Sequence, residues 1–464
     1  MLPLSRTLRR LLDKQISIFK RHYTNRNVLS LGDRGIYKDV FPNVSVKEIV
    51  DLLNSSPQCV YSGFDPTASS LHLGNLLVLI NLLHWQRAGH QVIALVGGAT
   101  GSIGDPSGRS KERELQSAEI VAENSRSVTE NIKTIFDNHK KYFWDDKKGQ
   151  ERLKRPIIVN NIDWYKEMNA LEYVGRIGKH FRMGTMLCKE SVDTRLKSEH
   201  GISYTEFSYQ IFQAYDWYHL LQKYNCRFQA GGSDQLGNIS AGHELISRLS
   251  KKEVYGLTLP LVKTVSGAKF GKSAGNAVWL SADMTSPFDF YQYLVRTADA
   301  DVETMLKLFT FDSVDAIADT CRKHQTRPEL WLAQKRLADQ VTKLVHGEEG
   351  LRAAHLATEA LYNSNVDILS RLSWNDVASV FKGAVVKDML LEPGLSILQF
   401  SLLAGCFPNE QDARRIIAAG GFSINYQKVV NQDELLSDTV HILPNKITLA
   451  RVGKRNYWVI RWAS

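Results

Sequence analysis

Residues 59–75 read CVYSGFDPTASSLHLGN, and residues 91–108 read QVIALVGGATGSIGDPSG. Each segment opens with an apolar run that predicts a buried strand and then passes into turn-forming residues. Between the two strands, an apolar stretch from Gly74 to Ala88, followed by Gly89, predicts a helix. Strand, helix and strand in this order open a parallel α/β sheet.

The remainder of the chain continues this alternation and then changes character. Further strands are predicted at 157–159, 228–230 and 257–262, and helices at 44–56, 114–141 and through most of 166–225. Residues 300–385 predict helices, 387–393 a linker, and 395–464 a helix–turn–helix followed by β-rich sequence. The predicted fold class is α/β, with a Rossmann-like parallel-sheet domain, an α-helical domain and a small α+β module.

Two short segments carry groups that suit phosphate. Leu71-His72-Leu73-Gly74-Asn75 lies where a strand gives way to a helix, whose N-terminus offers backbone N–H groups and the positive end of a dipole. Lys269-Phe270-Gly271-Lys272-Ser273 places two lysines and a hydroxyl in a loop, where they could grip a polyphosphate. Taken singly, each segment is better explained as an ordinary capped helix or an ordinary hairpin loop.

Taken together, the two segments resemble the paired HIGH and KMSKS signatures of class I aminoacyl-tRNA synthetases. They are about 200 residues apart, and the Gly-rich loop that lies between them is neither a Walker motif nor a dinucleotide fingerprint. Asn75 stands where many members have a second His, and it still offers an N–H donor. Phe270-Gly271 replaces Met-Ser in the second signature, whose lysines and terminal hydroxyl remain.

Three further segments closely resemble tyrosyl-tRNA synthetases of the bacterial and mitochondrial type, and the resemblance runs from about residue 30 to the end. They are YSGFDPT at 61–67, YTEFSYQIFQAYD at 204–216 and GGSDQLGN at 231–238. On the predicted helix 204–216, Tyr209 and Gln213 share one face with Asp216. Two alternatives remain: a tryptophanyl-tRNA synthetase, which has the same fold, and an RNA-binding or splicing protein that has retained it.

The resemblance implies a tyrosine site with two ends. Tyr61 and Asp216 are expected to meet the phenol hydroxyl. The residues expected at the amino end are Asp105, Tyr209, Gln213 and Gln229. A donor and an acceptor that await a hydroxyl are both left unpaired by phenylalanine, so this arrangement would select tyrosine.

The resemblance also implies an ATP site across the first signature, at Asp65, Gly74, Asp234, Gln235 and Lys272. The tyrosine carboxylate would attack the α-phosphorus and release pyrophosphate, and it needs no general base because it is already ionised at neutral pH. The groups expected to stabilise the spreading negative charge are Thr67, His72, Asn75, Lys269, Lys272 and Ser273. Mg²⁺ is expected to bridge the phosphates, and no protein metal-ligand set is predicted. A terminal ribose hydroxyl of the tRNA would then attack the tyrosyl-adenylate.

The C-terminal 395–464 resemble a small RNA-binding module that also occurs in a ribosomal protein and in pseudouridine synthases. The residues expected to contact RNA are Arg414, Arg415, Lys428, Lys454 and Arg455. Tyr457 and Trp458 could either stack on bases or pack in a core. The family further implies a homodimer with an interface near 164–190, and a tRNA(Tyr) that contacts both subunits.

The formal charge of +9 is concentrated at the two ends of the chain. Residues 1–27 carry seven basic groups and one acid, with leucines at helical spacing, which predicts a mitochondrial transit peptide; a basic RNA-binding arm is the alternative. Residues 400–464 carry eight basic groups and five acids. Five scattered cysteines argue against a zinc site or a disulfide scaffold, and no apolar run is long enough to span a membrane.

These observations predict four regions and a destination. A transit peptide at 1–27 precedes a catalytic domain at 28–295, which includes a dimer-interface insertion. A helical anticodon-recognition domain is expected at 296–386 and a small RNA-binding domain at 395–464. The predicted destination is the mitochondrial matrix.

Overall fold

The computed structural model describes residues 26–42, 46–108, 116–144, 153–263, 270–273, 276–363, 365–381, 384–453 and 456–463. Most of the expected transit peptide therefore lies outside the described residues. Two compact units are present: unit 1 comprises the described residues up to Met284 together with Val295–Val345, and unit 2 comprises Thr285–Leu294 and the described residues from His346 onward. The units divide the helical stretch 296–386 at Val345, so the expected functional domains stay a prediction.

Unit 1 is built on a six-stranded sheet. Its strands are β1 Asp39–Phe41, β2 Cys59–Phe64, β3 Gln91–Val96, β4 Ile157–Asn160, β5 Phe228–Gly232 and β6 Tyr255–Leu259. They lie in the order β1-β6-β5-β2-β3-β4, and every neighbouring pair is parallel except β1 and β6. The chain runs outward from β2 to β4 and then returns to β5 on the other side of β2. The boundary between β2 and β5 is thus a topological switch point, where open α/β sheets bind ligands.

Helices cover this sheet and follow it. The helices up to β6 are α1 Val46–Ser55, α2 Leu73–Arg87, α3 Thr100–Ile103, α4 Ala118–Tyr142, α5 Ile162–Tyr165, α6 Ala170–Glu172, α7 Met183–Leu187, α8 Glu190–Leu196, α9 Tyr204–Tyr224 and α10 Leu236–Ser250. A small hairpin follows, of β7 Lys272–Ser273 and β8 Asn276–Ala277. After it come α11 Pro287–Val295, α12 Asp299–Phe309, α13 Val314–Thr326 and α14 Leu332–Asn363, which has a non-helical backbone at Gly347.

The core of unit 1 joins the central strands to two long helices. Tyr61 of β2 packs with Trp217 of α9 and Ile239 of α10, and all three side chains are buried. Helix α2 is apolar on nearly every face, because it runs against the sheet under other elements rather than along the surface. This packing fixes α9 relative to the carboxyl ends of the strands.

Unit 2 contains a five-stranded sheet in the order β11-β10-β12-β13-β9. Its strands are β9 Val385–Met389, β10 Phe422–Ile424, β11 Gln427–Val429, β12 Ile447–Val452 and β13 Asn456–Trp462. Its further helices are α15 Val366–Leu369, α16 Trp374–Val380, α17 Ile397–Leu403 and α18 Glu410–Ala418. Trp458 of β13 is partly buried beside the core of this unit, which favours packing over base stacking.

The expected fold class is confirmed, with two corrections in detail. The linker predicted at 387–393 is wrong in its first part, because Val385–Met389 forms the edge strand β9, parallel to β13. Strand β6, the last of the six-stranded sheet along the chain, ends at Leu259 rather than at Val262. Within the described stretches, no helix is both long and apolar enough to cross a membrane.

Candidate active site

The candidate site begins with two side chains on neighbouring strands at the switch point. Tyr61 of β2 lies directly opposite Gln229 of β5 in the parallel register, and both are buried. The Tyr61 hydroxyl and the Gln229 Oε1 have no hydrogen-bond partner among the described residues. Burial raises the pKa of Tyr61, and the nearby Asp216 carboxylate raises it further. Two buried polar groups without partners point to a ligand that supplies them.

Asp216 of α9 is the carboxylate whose charge acts on Tyr61. It is 1% exposed, and it accepts hydrogen bonds from Asn161 Nδ2 and Trp164 Nε1, each over 3.0 Å. Burial raises its pKa to about 7, although the two donors pull the pKa in the opposite direction. No cation pairs with Asp216 in the part of the chain that the structure describes.

A second carboxylate, Asp65, follows β2 directly. The Tyr209 hydroxyl donates to its Oδ2 over 2.9 Å, and the Thr100 hydroxyl donates to its Oδ1 over 2.7 Å. Gly97 makes this possible, because a Cβ there would overlap both Asp65 Oδ1 and Thr100 Oγ1. Asp65 was expected on the ATP side, and the structure places it in contact with a residue expected on the tyrosine side.

Asp105 lies within the Gly-rich loop 97–108, in contact with the segment 231–238. Its Oδ2 accepts from Gln235 Nε2 over 2.6 Å, and its Oδ1 accepts from the backbone N–H of Ser107 over 3.0 Å. Asp105 is 9% exposed and has no ion pair among the described residues. Gln235 and Asp234 belong to a short 3-10 turn, Ser233–Gln235, that leads into α10. Asp105 was expected to bind tyrosine and Gln235 to bind ATP, yet the two side chains are hydrogen-bonded to each other.

The first signature forms a capping box at the start of α2. His72 Nδ1 accepts from the backbone N–H of Asn75 over 3.3 Å, and Asn75 Oδ1 accepts from the backbone N–H of His72 over 3.1 Å. Since Nδ1 accepts, a neutral His72 ring carries its proton on Nε2. Asn75 therefore has a structural role besides any contact with a ligand. Gly74 lies under the His72 ring, where a Cβ would crowd it.

The backbone of the second signature lies close to that of the first. This proximity is needed if the two signatures are to act on the same phosphates. The backbone N–H of Leu73 donates to Val278 O, and the Val278 N–H donates in turn to Gly271 O, each over 2.8 Å; a Cβ at Gly271 would lie 3.2 Å from Leu73 Cβ. Gly271 has φ +86°, which explains why glycine stands there. Lys269 lies outside the described residues. Lys272 and Ser273 are placed by their backbone in β7.

Gln213 and Thr67 were expected in the tyrosine site and at the phosphates of ATP. The structure shows where each lies, but their contacts do not decide either role. Gln213 is half-buried on α9, one helical turn beyond Tyr209. Thr67 is half-buried in the loop after β2, where its backbone N–H donates to Asp65 O over 2.9 Å. Gln213 therefore lies on the helix that carries Asp216, and Thr67 lies beside Asp65.

Three of the expected RNA-binding residues, Arg414, Arg415 and Lys428, belong to unit 2. Arg414 and Arg415 are exposed on α18, where they pair with Glu410 over 2.6 Å and with Asp412 over 2.8 Å. Lys428 is exposed on β11. Lys454 and Arg455 lie outside the described residues.

Sequence reasoning missed four residues that bind the expected ones: Thr100, Asn161, Trp164 and Asn238. Asn161 directly follows strand β4, and the carboxyl end of a parallel strand is a position that could have marked it. Trp164 carried no such signal. Thr100 and Asn238 stood inside segments already recognised, but nothing in their spacing gave them a role.

This fold and site are those of a nucleotide-binding α/β enzyme with paired phosphate-binding signatures. The family model for class I tRNA synthetases (W and Y) matches residues 53–363, and the chain belongs to this family. The resemblance seen in the sequence is confirmed, and the protein is an aminoacyl-tRNA synthetase.

Individual relatives narrow the similarity further. A mitochondrial tyrosine–tRNA ligase of Drosophila melanogaster is 51% identical over 463 residues, which cover 100% of both chains. That of Homo sapiens is 47% identical, over 92% of this chain and 90% of its own. The solved structure of a C-terminally truncated mitochondrial tyrosyl-tRNA synthetase from Aspergillus nidulans has a TM-score of 0.66 at 31% identity, and the match covers 75% of this chain and 97% of that one.

Proposed function

We propose that this enzyme is a tyrosine–tRNA ligase: it activates L-tyrosine with ATP and transfers the tyrosyl group to tRNA(Tyr). The observation that carries the proposal is the buried Tyr61 hydroxyl, which has no hydrogen-bond partner among the described residues and is close enough to Asp216 for that charge to raise its pKa. The family includes enzymes for tryptophan as well as tyrosine. A tyrosine phenol can donate to a carboxylate and accept from a hydroxyl, whereas an indole N–H can only donate.

At the phenol end, the Tyr61 hydroxyl donates a hydrogen bond to the substrate oxygen, and Asp216 accepts a hydrogen bond from the substrate hydroxyl. Phenylalanine would leave both groups desolvated and unpaired, which penalises its binding. At the other end, the substrate ammonium is held by carboxylate and amide oxygens. We assign this role to Asp105, Tyr209, Gln213 and Gln229, with Asp65 where the tyrosine and ATP sites meet.

In the first step the tyrosine carboxylate oxygen forms a bond to the α-phosphorus of ATP, and the bond from that phosphorus to the bridging oxygen breaks. Pyrophosphate leaves with the electron pair, and no proton needs to move. His72 Nε2 faces the phosphates as a donor, together with Thr67 and the amide of Asn75. The cationic groups are supplied by Lys269 and Lys272, and Ser273 adds a hydroxyl. Gly74, Asp234 and Gln235 complete the nucleotide site.

Mg²⁺ adds positive charge to the phosphates when it is bound. Among the described residues, no group of three or more His, Cys, Asp or Glu side chains could hold an ion. We propose that the ion would arrive with the nucleotide, whose phosphate oxygens are ligands of the kind that Mg²⁺ prefers. In the second step a ribose hydroxyl at the tRNA 3′ end attacks the tyrosyl carbonyl, and AMP leaves.

Partners beyond the small substrates are part of the proposal. The segment 164–190 exposes Leu171, Val174 and Met183 by 87%, 57% and 59%, which is unusual for large apolar side chains on a monomer. This exposure supports a homodimer formed through that segment. Light scattering of Val174→Asp/Met183→Asp tests it: a monomer is expected, and an unchanged dimer would move the interface elsewhere.

The two RNA-facing regions and the destination complete the proposal. Arg414, Arg415 and Lys428 of the small C-terminal domain would contact tRNA phosphates, as would Lys454 and Arg455, and the helical stretch 296–386 would read the anticodon. The relatives from Drosophila melanogaster and Homo sapiens are named as mitochondrial enzymes, which supports a mitochondrial destination. We assign it to the matrix, with 1–27 as the transit peptide.

Amino-acid-dependent pyrophosphate exchange decides the substrate. Each of the twenty amino acids is supplied with ATP and labelled pyrophosphate, and label should enter ATP with tyrosine alone. Exchange with tryptophan and none with tyrosine would overturn the proposal. A Tyr61→Phe variant should retain exchange but discriminate less against phenylalanine, because it lacks the donor to the phenol.

A further inference from the structure

We propose that Asn238 is a positioning residue that, directly and through Gln235, holds Asp105 toward the amino end of the bound tyrosine; the inference rests on the proposed function. Asn238 lies in the first turn of α10 and is 3% exposed. Its Nδ2 lies 3.3 Å from Asp105 Oδ1, 3.1 Å from Gln235 Oε1 and 3.4 Å from Ser107 Oγ. A single amide nitrogen therefore faces three oxygen atoms from two segments of the site.

These contacts fix the orientation of Gln235. Because its Oε1 accepts from Asn238, its Nε2 must face Asp105 Oδ2, to which it donates over 2.6 Å. A flipped Gln235 amide would set its oxygen against the carboxylate and its N–H groups against those of Asn238. Both contacts would be repulsive, so only one orientation is compatible with Asn238.

The same contacts leave Asp105 with a particular chemistry. Its donors are two neutral amides and the backbone N–H of Ser107, so its negative charge is hydrogen-bonded but unneutralised within the described chain. A carboxylate that is 9% exposed and lacks a cation is costly unless a ligand supplies one. The ammonium of tyrosine is such a cation, and Asn238 determines where the carboxylate awaits it.

Asn238 also joins two stretches that are distant in the chain. Asp105 and Ser107 lie in the Gly-rich loop 97–108, whereas Gln235 lies directly before the first residue of α10. Without the Asn238 donor, the Asp105 carboxylate and the Gln235 amide would each gain rotational freedom. We therefore expect Asn238 to affect recognition of the amino group and not of the aromatic ring.

The test compares tyrosine with 3-(4-hydroxyphenyl)propionate, the analogue that lacks the amino group, as ligands of the full chain. In Asn238→Leu, which keeps the volume and removes the donor, tyrosine binding should weaken about tenfold or more. Binding of the analogue should change by less than about twofold, since its phenol end is intact. Asn238→Ser, which keeps one shorter donor, should fall between Asn238→Leu and the native chain and guards against a folding failure of the first variant.

Gln334→Leu is the matched control. Gln334 is a buried amide that donates to the carboxylate of Asp299, in the same unit but among residues that do not belong to the site. It should lose stability without altering either affinity. If Asn238→Leu weakened both ligands equally, or neither, the positioning role would be refuted. Asp105→Asn separates the two hypotheses: if it left tyrosine binding unchanged, the assignment of Asp105 itself would be wrong.

Discussion

Asn161 donates one amide hydrogen to Asp216 Oδ2 and the other to Thr100 Oγ1, each over 3.0 Å. Its own Oδ1 accepts from the backbone N–H of Ala99 over 2.7 Å, so its amide cannot flip without losing three hydrogen bonds. Thr100 passes the connection on to Asp65. Asp216 at the phenol end and Asp65, which we assign to the junction of the tyrosine and ATP sites, are thus held by one buried network, in which a change at one carboxylate should affect the other.

The raised pKa of Asp216 predicts that tyrosine binding depends on pH. With a pKa of about 7, the group is a carboxylate above that pH and a neutral acid below it. Only the carboxylate leaves both oxygens able to accept the phenol proton. The KM for tyrosine in pyrophosphate exchange should therefore fall as the pH rises from 6 to 8, with a midpoint near 7.

Two comparisons make this test specific. In Asp216→Asn the KM for tyrosine should be high and nearly independent of pH, because the side chain no longer titrates. The KM for ATP should change little over the same range in the native enzyme. A KM for tyrosine that stays constant between pH 6 and 8 would show that Asp216 titrates elsewhere or does not meet the phenol.

Gly97 should tolerate no side chain. A Cβ there would occupy the position where Thr100 donates to Asp65, so Gly97→Ala must separate them. We expect a loss of tyrosine affinity of about tenfold, equivalent to one charged hydrogen bond. Gly63→Ala is the matched control, because a Cβ at Gly63 on the same strand as Tyr61 would meet nothing within 4 Å. Equal effects of the two substitutions would contradict this explanation.

Much of the fold of unit 1 could be predicted, because its buried parallel strands are short apolar runs with turn residues after them. The apolar runs at 59–64 and 91–96 predict strands whose first and last residues agree with those of β2 and β3. Strand β9 was missed because its exposed residues show no buried face, and its partner β13 lies about 70 residues later in the chain. Pairing over such distances leaves no local pattern.

The candidate site was predictable where a helical face or a motif joined several polar residues. Tyr209, Gln213 and Asp216 share such a face on α9. Asn161 could not be found this way, because its partners Thr100 and Asp216 are 61 and 55 residues away and it stands alone after its strand. The contact of Asp65 with Tyr209, over 144 residues, was hidden for the same reason.

Arg195 and Glu206 form a buried ion pair that ties α8 to the first turn of α9. Arg195 Nη2 lies 2.8 Å from Glu206 Oε2, and the side chains are 1% and 3% exposed. Removing one partner leaves a buried charge, so Arg195→Met should cost roughly 3–5 kcal/mol of unfolding free energy. Arg195→Met/Glu206→Leu should recover most of it. Urea unfolding of unit 1, followed by tryptophan fluorescence, measures both effects.

An exposed pair on the same short helix provides the comparison. Lys197 lies 2.7 Å from Asp193, with side chains 74% and 49% exposed, so Lys197→Met should cost about 1 kcal/mol or less. If Arg195→Met cost no more than Lys197→Met, burial of the pair would have no energetic consequence. If the double variant stayed as unstable as the single one, the loss of unfolding free energy could not be explained by the unpaired Glu206 charge alone, and the ion pair itself would stabilise the fold.

The lowered pKa of His139 leads us to expect that the enzyme loses stability in mild acid. Burial, reinforced by the charge of Arg87, lowers its pKa to about 3, and its Nε2 lies 3.1 Å from Arg87 Nη1. Since this folded pKa lies below the unfolded value, the contribution of the neutral ring is present above pH 6.5 and is lost as the pH falls toward 3. The loss is on the order of 2 kcal/mol by pH 5. His139→Gln can still accept from Arg87 but does not titrate, so in urea unfolding between pH 7.5 and pH 5 it should lose less stability than the native chain. Parallel losses in the two proteins would assign the acid sensitivity to other groups, of which buried His84, with its pKa lowered in the same direction, is the first to examine.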